Sequence, residues 1–312
     1  TGADYRRSKM PSTGQGRTPI GHVRSREWLE GYVLILPAAA LLSLFTLWPA
    51  FQAILLSFLG EDPFGRGRFW VGLANYAELF RDPTFFRTVL ITFKFALIVA
   101  VVEVALSLLA AVLLQYSVPG IAIFRTIFFL TTAVSTAVAA VAWGWFLHPV
   151  GGVLNHILQW LHLSPQGWLT TPEWALYSVA AATAWQAIGF STILLTAGLQ
   201  DIPEDIYEAA RIDGATGWTV FWRITLPLLS PVLFFVSVLA LVRGFTAFGQ
   251  IHLLTRGGPS EATTVWIYRI YLDAFFNFRF TYAAAEAALL FALLIVLTVV
   301  QFRSLGRRVH YG

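Results

Sequence analysis

Six long apolar stretches, separated by polar or turn-forming residues, organise this chain. They occupy 32–58, 89–114, 124–147, 176–199, 228–248 and 283–302. Within them apolar residues run on without the two-residue alternation of a half-buried strand. Each is long enough to supply the roughly 20 helical residues that cross a hydrocarbon core. A helix satisfies its own backbone hydrogen bonds, which lipid demands of any spanning segment. The pattern predicts an all-α polytopic membrane protein with six transmembrane helices over 31–302. A flexible N-terminal tail is expected over 1–30 and a second tail over 303–312.

Composition agrees with this class. Of 312 residues, 57% are hydrophobic and 12% charged, where soluble domains hold about a quarter charged residues. Cysteine is absent, which excludes disulfides, thiol catalysis and Cys-ligated zinc. The net charge of +4 matters through its placement, and nothing in it points to nucleic acid. Arg6, Arg7, Lys9, Arg17, Arg24 and Arg26 lie in the N-terminal tail and Arg303, Arg307 and Arg308 in the C-terminal one, whereas 148–175 holds no Lys or Arg. The positive-inside rule then puts both termini in the cytoplasm, with 59–88, 148–175 and 249–282 outside. The connection 201–227 between the fourth and fifth spans faces the cytoplasm as well.

That connection is the most informative part of the chain. Pro203 follows the fourth span and suits a first helical turn. Glu204, Asp205 and Glu208 enrich the early turns in acid, as the helix dipole favours. Ile206, Ala209, Ala210 and Ile212 give a small, partly apolar surface, and Asp213-Gly214 offers a glycine corner where positive φ costs little. Trp218, Phe221 and Trp222 make the following short helix too apolar for free solvation, and Pro227 precedes the next span. A compact amphipathic helix pair of this kind fits a groove on a partner protein. It also fits an interfacial helix lying on lipid.

The spacing Glu208-Ala209-Ala210, three residues, Gly214, nine residues, Ile224-x-Leu226-Pro227 resembles the full EAA signature of binding-protein-dependent ABC importer permeases. Three further segments resemble motifs of the carbohydrate-uptake (MalF/UgpA-type) members. They are Gly72-Leu73-Ala74-Asn75-Tyr76, Pro149-x-Gly151-Gly152-x-Leu154-Asn155 and Thr255-x-Gly257-Gly258-Pro259-x-x-Ala262-Thr263. The resemblance implies the type I ABC importer permease fold in the inner membrane of a prokaryote. It implies as partners a second permease subunit, two ATP-binding subunits and an extracytoplasmic solute-binding protein, with lipid around the spans. ATP and Mg would bind the partner subunits and no cofactor this chain. Glu208, Ala209, Ala210, Asp213, Gly214, Phe221, Ile224, Leu226 and Pro227 would form a coupling helix seated on an ATPase subunit, with Glu208 meeting a basic group there. The expected solute is a sugar, an oligosaccharide or sn-glycerol-3-phosphate.

No catalytic chemistry is expected within the chain. A phosphate-binding loop needs G-x-x-x-x-G-K-[ST], and Lys9 and Lys94, the only lysines, follow no such glycine pattern. No G-x-S-x-G elbow is present. His148, His156 and His162 share a loop without H-E-x-x-H spacing or a carboxylate cluster, so no metal site is expected.

Ionisable residues inside spans are expensive and tend to mark function. Lys94, Glu103 and Arg243 are the candidates. Lys94 and Glu103 lie nine residues apart, about 900° of helical rotation, so they face opposite ways and need separate partners. Arg243 or Lys94 either faces a solute path or serves as a structural ion pair or a snorkelling cation. Sugar sites combine an aromatic face with hydrogen-bonding groups, a mixture that Trp185 and Gln186 in the fourth span and Phe245, Phe248 and Gln250 near the fifth supply. The rival class is a secondary transporter or channel not driven by ATP, which would be expected to show inverted repeats with broken helices.

Overall fold

The protein is described by a computed structural model covering residues 20–62, 67–115 and 120–304. The chain divides into two units, 1–52 and 53–312. The first contains α1 (Ile20–Leu42), a π-helical turn (Ser43–Leu47) and the start of α2 (Trp48–Leu56). Within this stretch 30–56 forms an unbroken apolar span. The π turn has a simple origin. Pro49 has no N–H to give, and just ahead of it the Trp48 N–H bonds back five residues to Ser43 O. The helix starts at Ile20, so its first eleven residues fall in the segment expected to be tail. No proline interrupts 20–36, so helix propagation carries on beyond the apolar stretch. The remainder of that tail, 1–19, and residues 305–312 of the other lie outside the described residues.

The second unit follows as β1 (Leu59–Glu61), β2 (Arg68–Trp70), α3 (Ala74–Leu79), α4 (Pro83–Leu113), α5 (Ile121–Ala133), α6 (Thr136–Phe146), α7 (Val153–Trp160), α8 (Pro172–Gln200), α9 (Glu204–Ile212), α10 (Gly217–Val220), a π turn (Phe221–Thr225), α11 (Leu226–Leu228), α12 (Ser230–Thr246), α13 (Gly249–Leu254), α14 (Trp266–Phe275) and α15 (Phe280–Ser304). The two strands form an antiparallel hairpin with Leu59 opposite Trp70.

The core forms where α4 and α8 run side by side in the same direction. Phe95 and Val99 pack with Val179, Ala180 and Ala184 at one level. Ala111 packs with Leu195, Leu199, Leu229 and Val236 at the other. The α8 face turned inward is rich in Ala, Ser, Thr and Gly, the small residues that let membrane helices approach closely. The same logic applies where α12 crosses α4. A Cβ built on Gly244 would lie 2.5 Å from Ala96 Cα, so only glycine fits there.

Two of the six expected spans are not straight. The third is a bent pair, α5 and α6 meeting at 109°, and the segment entering the fifth bends by 71° between 217–228 and 230–246. The first break falls in Thr131-Thr132-Ala133-Val134-Ser135-Thr136, where short hydroxyl side chains compete for the backbone. Val134 is extended and Ser135 caps α6, accepting from the Val138 N–H at 3.4 Å. The second break lies beside Pro227 and Pro231, neither of which has an amide hydrogen to donate.

The loop motifs build hydrogen-bonded corners. Asn75 donates to the carbonyls of Ser57 and Leu59, both at 2.8 Å. Asn155 is fully buried; it donates to Pro149 O and Gln166 O and accepts from Gln166 N–H and Trp168 Nε1. Thr263 Oγ1 bonds Gly258 O at 2.7 Å and pairs with Thr255 Oγ1 at 2.7 Å, closing the glycine turn. At the same end, Arg269 of α14 reaches Asp82, Thr84 and Glu286, fastening α14 to α4 and α15.

Candidate functional site

Two places stand out: the corner at α9–α11 and a cavity where the broken helices meet α8. The corner is built by its caps. Gly214 takes φ +74°, which permits a bond from Ala215 N–H to Ala210 O at 3.0 Å and from Gly214 N–H to Arg211 O at 3.1 Å. This double closure is a Schellman end, and it satisfies carbonyls that α9 would leave bare. Thr216 then caps α10 through the Thr219 N–H. Tyr207 Oη lies 3.3 Å from Thr225 Oγ1 and ties the two arms together.

The EAA residues sort by exposure along this corner. Glu208, Ala209, Asp213 and Gly214 are exposed, Ala210 is buried, and Phe221, Ile224, Leu226 and Pro227 are half-buried. Ile212 at 86% and Trp218 at 73% stand out into the open. Trp218, Phe221 and Trp222 form a ring cluster with centroids 5.3–6.5 Å apart. The turn ahead of Pro227 is again π-helical, with the Leu226 N–H bonding Phe221 O, as ahead of Pro49. The corner sits at the C-terminal end of α8, opposite the Arg269 cluster at the N-terminal end of α4.

The cavity measures about 590 Å³. It is lined by Thr132 and Thr136 across the α5–α6 break, Thr183, Gln186, Ala187 and Phe190 of α8, and Arg243 with Thr246 through Gln250 around the α12–α13 break. An amide chain holds its wall. Gln250 Nε2 donates to Gln186 Oε1 at 2.6 Å, and Gln186 Nε2 donates to Val134 O at 2.9 Å and to Thr136 Oγ1 at 3.3 Å. Arg243 lines the cavity with its side chain 38% exposed, and its Nε lies 3.4 Å from Oε2 of Glu103, which is fully buried. Ser191 Oγ donates to the other carboxylate oxygen at 2.7 Å. This node joins α4, α8 and α12.

Of the expected path residues, Gln186, Arg243, Phe248 and Gln250 come together on this cavity. The other three do not. Phe245 is buried in the core, edge-on to Phe93 at 5.0 Å. Trp185 lines a smaller cavity of about 390 Å³ with Ala142, Trp143, Phe146 and Leu154. Lys94 lies outside, with Nζ 4.8 Å from the Tyr177 ring centroid. The opposite orientation of Lys94 and Glu103 is as the helical rotation requires. Sequence reading did not name Thr132, Thr136, Thr183 and Thr246. The signal for the first two was the hydroxyl run at 131–136.

Comparison with known proteins gives a consistent answer. Residues 103–311 match the family model for "Binding-protein-dependent transport system inner membrane component". The chain is 38% identical over 282 residues to the sn-glycerol-3-phosphate transport system permease protein UgpA of Agrobacterium fabrum, spanning 90% of this chain and 96% of that one. It is 38% identical over 293 residues to the protein of the same name from Yersinia pestis, spanning 92% and 97%. Among solved structures, a chain of a bacterial ABC transporter involved in import of the acidic polysaccharide alginate superposes with TM-score 0.79 at 26% identity, covering 91% of this chain and 96% of that one. A chain of a bacterial alginate transporter in complex with alginate pentasaccharide-bound periplasmic protein gives 0.80 at 25% identity, covering 94% and 99%. With its motifs, its bent spans and its family match in agreement, the chain belongs to the binding-protein-dependent inner membrane components and is a permease subunit of an ABC importer.

Proposed function

We propose that this subunit lines the path of a small polyol bearing an acidic group, of the sn-glycerol-3-phosphate class. The observation that carries the reading is Arg243, the only charged side chain on the cavity wall among the described residues, set among two glutamine amides and four threonine hydroxyls. A guanidinium supplies a planar fork of donors suited to phosphate or carboxylate, and amides and hydroxyls suit a polyol. The names of relatives support the class: sn-glycerol-3-phosphate in one group, an acidic polysaccharide in the other.

In this reading the α9–α11 corner is cytoplasmic, as are both termini, and seats in a groove of a separate ATPase subunit. Closure of two such subunits on ATP and Mg moves the corner and, through the bent entry to α12, the wall that carries Arg243. A second permease subunit completes the path, and an extracytoplasmic binding protein delivers solute. This chain does no hydrolysis. Its task is to give the solute a different fit in the two states, since equal affinity shifts no population.

The test is uptake by the whole complex in proteoliposomes with ATP inside. Labelled sn-glycerol-3-phosphate should accumulate, and Arg243→Gln should remove most of that uptake while the complex still assembles. Wild-type uptake by Arg243→Gln, or accumulation of a neutral disaccharide in preference to the phosphate, overturns the reading.

A further inference from the structure

We propose that Glu103 is a built-in competitor for Arg243, weakening the grip of the cavity on an acidic solute so that the solute can leave. The proposal rests on the anionic reading of the cavity and extends it to a residue that solute never touches.

The geometry is directional. Glu103 is fully buried on α4, and Ser191 of α8 donates to its Oε1 at 2.7 Å. That bond fixes the carboxylate so that Oε2 faces Arg243 Nε at 3.4 Å. Arg243 Nε is sealed from solvent. The terminal guanidinium nitrogens make no hydrogen bond among the described residues, and the side chain opens on the cavity. One edge of the guanidinium therefore faces Glu103 in an ion pair that makes no hydrogen bond, and the other opens on the cavity.

The electrostatics follow. With the cavity empty, Arg243 and Glu103 form a neutral pair, so the wall avoids a bare charge at membrane depth. When an anion arrives, one cation serves two anions. The solute meets an arginine whose charge is already partly answered, and it binds less tightly than it would to an isolated one. A transport site gains from that restraint, because uniform tight binding slows release without speeding any step that matters. Glu103 is thus a positioning residue for Arg243 and a brake on affinity.

Glu103→Gln tests the charge: its single amide oxygen can face Arg243 in place of Oε2, while its NH2 donates to Ser191 Oγ, which then accepts instead of donating. The measurement is equilibrium binding of labelled sn-glycerol-3-phosphate, with glycerol as the neutral control, to the whole complex in nanodiscs without its binding protein. Turnover in proteoliposomes is measured in parallel. Glu103→Gln should tighten binding of the phosphate by about tenfold, in line with removing one close charge. It should slow turnover and leave glycerol binding unchanged. Glu103→Asp, whose carboxylate sits one methylene further back, should tighten it by a smaller factor and serves if the Gln complex assembles poorly. Equal or weaker phosphate binding in the variant that assembles overturns the proposal. If Arg243→Gln binds the phosphate like wild type, the anionic reading fails first. If Arg243→Gln abolishes binding and Glu103→Gln does not tighten it, only the role of Glu103 fails.

Discussion

Gln186 donates its side-chain amide to the carbonyl of Val134 at 2.9 Å, across the gap where α5 gives way to α6. A helix broken at membrane depth strands backbone groups that lipid cannot satisfy, and this one side chain answers the exposed carbonyl. Its own carbonyl in turn accepts from Gln250 at 2.6 Å. Gln186→Leu would take a bond from each of Val134 O, Thr136 Oγ1 and Gln250 Nε2. Each orphaned buried group costs about 1–3 kcal/mol, so the purified complex should melt several degrees lower and transport should fall sharply. A melting curve matching wild type would show that the break is held by something else.

The corner at Gly214 depends on φ +74°. Gly214→Val places a branched side chain in a conformation that costs an ordinary L-residue about 1–2 kcal/mol and opens the Schellman closure of α9. Space is not the obstacle, since a Cβ built at Gly214 meets nothing within 4 Å. The subunit should insert normally yet lose its ATPase partner in co-purification. Glu208→Lys, exposed on the same corner, should give the same loss without strain. Retention of the partner by both variants counts against docking here.

Asn155 makes four hydrogen bonds from a fully buried position. Asn155→Ala removes all four and should cost about 3 kcal/mol or more. Limited proteolysis should then cut within 148–171 in the variant and spare it in the wild-type protein.

Asp82, just ahead of α4, titrates below the ordinary carboxylate range. Burial alone would raise it, but bonds from Thr84 and from the Arg269 guanidinium outweigh burial. Because the folded value is depressed, its contribution to stability is present above the ordinary carboxylate value and is lost as pH falls through the folded one. Thermal stability followed from pH 7 down to pH 3 should decline over the acid part of that range. Asp82→Asn should start less stable at pH 7 and decline less steeply. Parallel curves would mean that Asp82 contributes nothing to the acid response.

Much of this was legible in the sequence because lipid enforces it. Apolar runs of spanning length and the glycine corner at 214 each follow from a single local rule, and the resemblance of 208–227 to the EAA signature pointed to the same corner. The cavity was legible only in part. Gln186, Arg243, Phe248 and Gln250 were found as polar or aromatic groups at membrane depth. Trp185 and Phe245 have the same chemistry, yet they differ in which way their helices turn them. That choice is made by packing against α4, where Gly244 admits α12 to within contact of Ala96, and no local pattern encodes it. The threonines at 132 and 136 went unread because a hydroxyl is cheap inside an intact helix. Their importance appears only once the helix breaks between them.

Ile212 and Trp218, left in the open by the way α9 and α10 are closed, bear on the life of a newly made chain. A subunit synthesised ahead of its partners carries an adhesive handle with nothing to hold. Such a surface invites self-association and surveillance by proteases. On the docking proposed above, abundance in the cell should track supply of the protein that covers that handle, so that the corner would count stoichiometry as well as transmit movement.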